Sequence, residues 1–110
     1  MDIDALLHAR DEVFLAETGW FSDASPEEIE SAYAEFSAAF AGWLEKLSGR
    51  LGPPTVTRSS NPELAEELYC EAFELAAWPK DGGYQILMWG QHDRETPVFI
   101  SFGYREANIA

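Results

Sequence analysis

One cysteine, two histidines and seven basic residues are all that this 110-residue chain offers to disulfide, metal and polyanion chemistry. Cys70 alone closes no internal disulfide, which fits a reducing compartment such as the cytoplasm. His8 and His92 belong to no i, i+4 pair and to no paired-cysteine pattern, so no metal site is expected. There is no GxSxG elbow and no phosphate-cradling glycine loop, since Gly82-Gly83 is too short for one, and no cofactor is expected. No apolar run approaches the roughly 18 residues that cross a bilayer. The N-terminal stretch MDIDALLHARDE has acids where a targeting signal carries bases, so the expectation is a cytoplasmic chain with no targeting segment.

What is abundant is negative charge. Twenty acids face seven bases, a net charge of −13. In the first 48 residues 11 acids stand against Arg10 and Lys46, and in the remainder 9 acids against 5 bases, giving −9 and −4. Such a field repels phosphate backbones and anionic membrane surfaces, which excludes nucleic acid and membrane as direct partners, and it attracts polycations. The same charge also serves solubility. With 46% hydrophobic and 14% aromatic residues, the length corresponds to a single domain over 1–110.

Along the chain, the spacing of Ile3, Leu6, Leu7, Val13 and Phe14 predicts a helix over 2–17, with Trp20 and Phe21 stapling the turn after it. Ser25-Pro26-Glu27-Glu28 is a capping box with proline at the first helical position. A second helix is expected from Pro26 to about Leu47, burying the stripe Ile29, Ala32, Tyr33, Phe36, Phe40, Trp43, Leu44 and Leu47 and stopping at Gly49. Pro53-Pro54 interrupts helix, and residues 55–58 suit a short strand. Asn61-Pro62 opens a third expected helix reaching about Ala77; a strand over 72–78 is the alternative, disfavoured by the periodic glutamates. Lys80-Asp81-Gly82-Gly83 reads as a turn. The segment GYQILMWGQHDRETPVFISFGY then reads as two strands joined by a polar connection. Two strands are marginal alone, so a third is needed, from residues 55–58 or from another subunit. The expected architecture is α+β: three helices followed by an antiparallel hairpin extended to three or more strands, with the helices on one face.

Three sets of residues are candidates for function. On a helix running through residues 62–77, Glu63, Glu67, Glu71 and Glu74 form a carboxylate ridge with no base among them. Like charges one turn apart cost about 0.2–0.5 kcal/mol each, so the ridge points to use of its potential on a basic protein partner, with Glu27, Glu28 and Asp93 as outliers. If the helices cover the sheet face bearing Ile86, Met88, Ile100 and Phe102, then Leu87, Trp89 and Phe99 form an apolar patch on the other face, fit for an interface. The connection carries His92, Asp93, Arg94 and Glu95, a conceivable loop site, although adjacent side chains on extended backbone diverge and turn chemistry explains them better. Cys70 sits among glutamates that suppress its thiolate.

In size and charge the chain resembles small acidic bacterial binding proteins, such as immunity proteins that neutralise basic nuclease toxins, or DNA-mimicking inhibitors. The resulting expectation is a non-enzymatic acidic protein that engages a basic protein partner. The alternatives are a small dimeric chaperone or adaptor, binding through the apolar sheet face, and a small enzyme using His92 and Asp93. A homodimer is expected, closed through the face of Leu87, Trp89 and Phe99 or along the edge of residues 98–104.

Overall fold

The computed structural model of the protein describes residues 3–9, 11–93 and 95–106. In chain order the elements are α1 (Ile3–His8), β1 (Val13–Glu17), α2 (Pro26–Leu51), β2 (Val56–Thr57), α3 (Pro62–Leu68), β3 (Ala72–Lys80), β4 (Gly83–Gln91) and β5 (Val98–Glu106). The strands form one antiparallel sheet in the order β1-β5-β4-β3-β2. This is an α+β fold, but strands and helices alternate in the first half of the chain and the sheet has five strands, all supplied by this chain. No helix among the described residues is long and apolar enough to cross a membrane.

The long helix forms where its local signals lie. Ser25 Oγ accepts the Glu28 N–H at 3.3 Å, Pro26 occupies the first turn, and Ala32, Phe36, Phe40 and Leu47 are buried along one stripe. The helix passes Gly49 and ends at Gly52, whose φ of 84° suits glycine and whose N–H reaches Ser48 O at 2.8 Å. Two other expected helices are shorter than their periodicity implied. The first stops at His8, and Val13–Glu17 pairs with β5 instead. Val13-Phe14-Leu15 is apolar on every side of a helix. On a strand, Val13 and Leu15 join the core under α2 while Phe14 meets Phe99 on the reverse side, with ring centroids 5.4 Å apart.

The third helix ends at Leu68, and the strand alternative holds from Ala72 onward. Leu75, Ala76, Ala77 and Trp78 are four consecutive buried residues, a pattern that a strand covered on both faces accommodates and an amphipathic surface helix does not. Pro79 lies beyond the reach of β2, which pairs only with Ala76 and Ala77, so no hydrogen bond is lost there. The turn after it is tight: Asp81 and Gly82 both have positive φ, 48° and 80°, the signature of a type I′ hairpin.

Both faces of the sheet are covered. Leu6 of α1 and Phe36, Phe40 and Leu47 of α2 pack on one face against Ala76, Trp78, Leu87, Trp89, Ile100 and Phe102. Ala65 and Leu68 of α3 pack on the other against Leu75, Ala77, Ile86, Met88 and Phe99. The expectation of helices on one face is therefore corrected, as is the grouping of side chains. Residues 92–97 close on the pair Gln91↔Val98, which sets Leu87 opposite Phe102 and Trp89 opposite Ile100. A six-residue connection fixes that parity, and a slip of one residue exchanges every side chain between faces.

Two glycines let neighbouring backbone lie flat on the reverse face. A Cβ on Gly90 would overlap the Glu71 carbonyl oxygen, and one on Gly103 would sit 2.8 Å from Glu12 Cα. Gly42, exposed on α2, has nothing within 4 Å of the same position. Gly90→Ala is therefore expected to lower stability by about 1–3 kcal/mol, while Gly42→Ala raises it by about 0.5–1 kcal/mol; urea unfolding of the two variants beside the parent checks both signs.

Candidate functional site

A β-bulge builds the most elaborate site. Ala72 pairs with Gly90 and Glu74 with Trp89, so Phe73 is an additional residue on β3. The bulge turns Phe73 and Glu74 together toward α2. Phe73 meets Trp89 and Tyr33 edge-on, with centroids 4.9 and 5.3 Å away, yet stays 44% exposed. The Glu74 carboxylate accepts Ser37 Oγ–H of α2 at 2.7 Å and the Trp89 indole N–H, both on Oε2. Beside them the Tyr33 hydroxyl donates to Gln91 Oε1, and Gln91 Nε2 donates to Thr96 O at 2.8 Å, which ties α2 to the connection after β4. Phe73, Glu74, Phe40, Leu44, Arg58 and Ser59 line a cleft of about 440 Å³ between α2 and the turn that leads to α3. Arg58 Nη2 donates to Glu66 at 3.0 Å, whereas its Nη1 is buried without a partner.

The sequence-derived candidates are redistributed by this geometry. The carboxylate ridge is not one surface: Glu63 and Glu67 are exposed on α3, Glu71 lies in the turn after it, and Glu74 points inward from β3. Leu87, Trp89 and Phe99 form no exposed patch, because they are 0%, 5% and 2% exposed and Phe99 faces away from the other two. The edge of residues 98–104 is likewise taken up over residues 99–102, where β1 pairs with β5. Both routes expected for a homodimer are thus occupied within the protomer. Trp20, expected to staple a turn, is 71% exposed, while Phe21 packs on the core.

On the reverse face, His92 does not pair with Asp93 but sets its Nδ1 against the Glu71 carboxylate and lies 5.3 Å from the Phe99 ring. Asp93 and Thr96 form a compact turn: Thr96 Oγ1 accepts the Asp93 N–H and donates to Asp93 O, both at 2.9 Å. Glu95 is exposed and its carbonyl accepts the Phe21 N–H at 2.8 Å; Arg94 lies outside the described residues. No group of three or more His, Cys, Asp and Glu placed to hold a metal occurs among the described residues. Cys70 is exposed in the turn between α3 and β3.

Glu12, laid across Gly103, accepts Ser101 Oγ–H at 2.7 Å and the Tyr69 hydroxyl, while Arg105 stacks 5.1 Å from the Tyr69 ring. Burial first, and then the hydrogen bond to Glu12 and its charge, push the Tyr69 phenol well above the ordinary tyrosine value.

The charges complete the picture. Each described lysine or arginine is engaged by its own chain: Lys46 lies over Trp43, Arg50 pairs with Asp4, Arg58 with Glu66, Lys80 reaches Leu7 O and Arg105 reaches Leu68 O. Among the described residues no lysine or arginine pairs with Glu27, Glu28, Glu30, Glu35, Glu63 or Glu67, all of them exposed. No family model matches this chain, and neither does a curated protein or a solved structure.

Trp89→Phe keeps an aromatic ring in place but removes the indole donor to a half-buried carboxylate, and should cost about 1–3 kcal/mol in urea unfolding. Glu74→Gln should cost less, because the amide oxygen still accepts from both donors. The Tyr69 phenol ionises later in the folded chain than in the unfolded one, so its contribution is fully present below the unfolded value of about 10 and is lost as pH rises above it. The urea midpoint is expected to fall between about pH 9 and pH 11, and Tyr69→Phe should flatten that part of the fall.

Proposed function

We propose that the chain is an acidic binding protein that engages a basic protein partner. The observation that carries this reading is the asymmetry of ion pairing. The described cations are all turned to local contacts, while Glu27, Glu28, Glu30 and Glu35 on α2 and Glu63 and Glu67 on α3 pair with no lysine or arginine among the described residues. Local pairing removes the positive patches that would break up the field, and a surface of one sign steers an oppositely charged partner into fast, salt-sensitive association. Glu27, Glu28, Glu30 and Glu35 on α2 and Glu63 and Glu67 on α3 supply that charge. They replace the continuous ridge expected from periodicity. A basic nuclease toxin, as the likeness in size and charge to immunity proteins implies, is one partner of this class.

A second reading, an adaptor or chaperone for extended segments, is favoured by one feature. β1 is one of the two outer strands of the sheet, and it presents Phe14 at 52% exposure, with Trp20 close behind it in sequence. Exposed aromatics beside an open edge suit recognition by strand addition.

The two readings part on a single experiment. Tagged protein is used for capture from lysate at low and high salt, alongside a variant carrying Glu27→Lys, Glu28→Lys, Glu30→Lys and Glu35→Lys and another carrying Phe14→Glu and Trp20→Glu. A basic partner held at low salt and lost from the charge-reversed variant supports the first reading. Loss only from the aromatic variant, insensitive to salt, supports the second. No partner at either salt counts against both.

A further inference from the structure

The cleft between α2 and β3 holds two groups that the chain itself leaves incomplete. Glu74 receives both of its hydrogen bonds on Oε2 and neither on Oε1, and it lines the cleft. Phe73 is carried into the cleft wall by the bulge and left 44% exposed, beside Phe40 and Leu44. An occupant that completes both brings a cation for the carboxylate and an apolar stem for the aromatic wall.

A lysine or arginine side chain carries both features on one unit. Its methylene stem covers Phe73, Phe40 and Leu44, and its charged head reaches Glu74. A carboxylate ligand would face Glu74 inside a chain of net charge −13. A small free amine would satisfy Glu74 and leave the aromatic wall uncovered. Glu74 is also suited to hold a cation in place: two donors from different elements, Ser37 on α2 and Trp89 on β4, fix its carboxylate before anything binds, so little ordering cost falls on association.

We infer that this cleft receives one lysine or arginine side chain of the partner, its charged head on Glu74 and its stem along Phe73, Phe40 and Leu44. The inference rests on the reading of the chain as a binder of basic proteins and assigns the place where one of the partner's charges is desolvated. The exposed glutamates of α2 and α3 then provide long-range attraction, and the cleft provides register.

The test uses two end-blocked tripeptides, acetyl-Gly-Lys-Gly-amide and its norleucine counterpart, titrated into the isotope-labelled chain and followed by amide and indole NMR shifts. The lysine peptide is expected to shift the Trp89 indole N–H and the amides of Phe73 and Ser59 saturably in the millimolar range, about tenfold more tightly than the norleucine peptide. Glu74→Gln should abolish that preference with the far-UV spectrum unchanged, and Phe73→Ser, a change at an exposed side chain, should weaken it if Glu74→Gln fails to fold. Equal binding of both peptides, shifts that persist in Glu74→Gln, or no shifts at about 10 mM peptide overturn the assignment. A partner still captured in salt-sensitive fashion by the Glu74→Gln protein also overturns it and leaves the broader reading standing. Glu74-dependent lysine binding without any basic partner overturns the broader reading and keeps the cleft as a cation site.

Discussion

Four consecutive apolar residues in the central strand, Ile86, Leu87, Met88 and Trp89, set the terms for the rest of the molecule. Successive side chains on a strand point to opposite faces, so this run can leave water only if both faces of the sheet are covered. A single layer of helices would leave half of it exposed. The chain answers with α2 and α1 on one side and α3 on the other, and it brackets β4 with a hairpin on each edge, to β3 and to β5. The short strands β1 and β2 then occupy the outer positions. The glycines at 90 and 103 follow from the same demand, because covering the reverse face with little helix requires backbone to press directly onto the sheet.

That two-sided core determines which polar groups are available at the surface. Glu74 and Trp89 meet inside because the bulge at Phe73 advances β3 by one residue, and Glu71 meets His92 because the chain crosses Gly90 on its way into β3. Carboxylates that looked like a shared ridge are divided among three environments: solvent, a histidine partner and an interior hydrogen-bond network. Further exposed acids, Glu27, Glu28, Glu30 and Glu35, lie on α2. A potential of one sign therefore persists over the surface without a continuous row of like charges one helical turn apart, which would weaken the helix carrying it.

Much of this is legible in the sequence alone. Ser25-Pro26-Glu27-Glu28 and the apolar stripe after it place α2, Asp81-Gly82 places the tight hairpin, and residues 55–58 supply the short strand that the sheet needed. Periodicity points to helix over β1 and β3 because scattered apolar or acidic residues recur there at steps of three and four. The signal that outweighs such recurrence is continuity: Val13-Phe14-Leu15 and Leu75-Ala76-Ala77-Trp78 are apolar on all sides, which suits a strand buried on two faces. The faces of β4 and β5 were also legible, since an even-numbered connection pairs odd residues of one strand with even residues of the other. The cleft was not. Nothing local marks Phe73 as a bulge, and the meeting of Glu74, Ser37 and Trp89 depends on three elements far apart in the chain.

The pairing of β1 with β5 has a consequence for how the chain is made. Val13 lies against Phe102 and Phe14 against Ser101, so the first strand of the sheet can be closed only by β5, the last of the five in chain order. The β3-β4-β5 meander forms through neighbouring turns at small loop-closure cost, whereas β1 must wait until residues 98–106 have been made. Until β5 emerges, the apolar segment of residues 13–17 has no strand to join, and a nascent chain carries it exposed until then. Emergence of β5, rather than any earlier step within the meander, is the event that lets β1 dock.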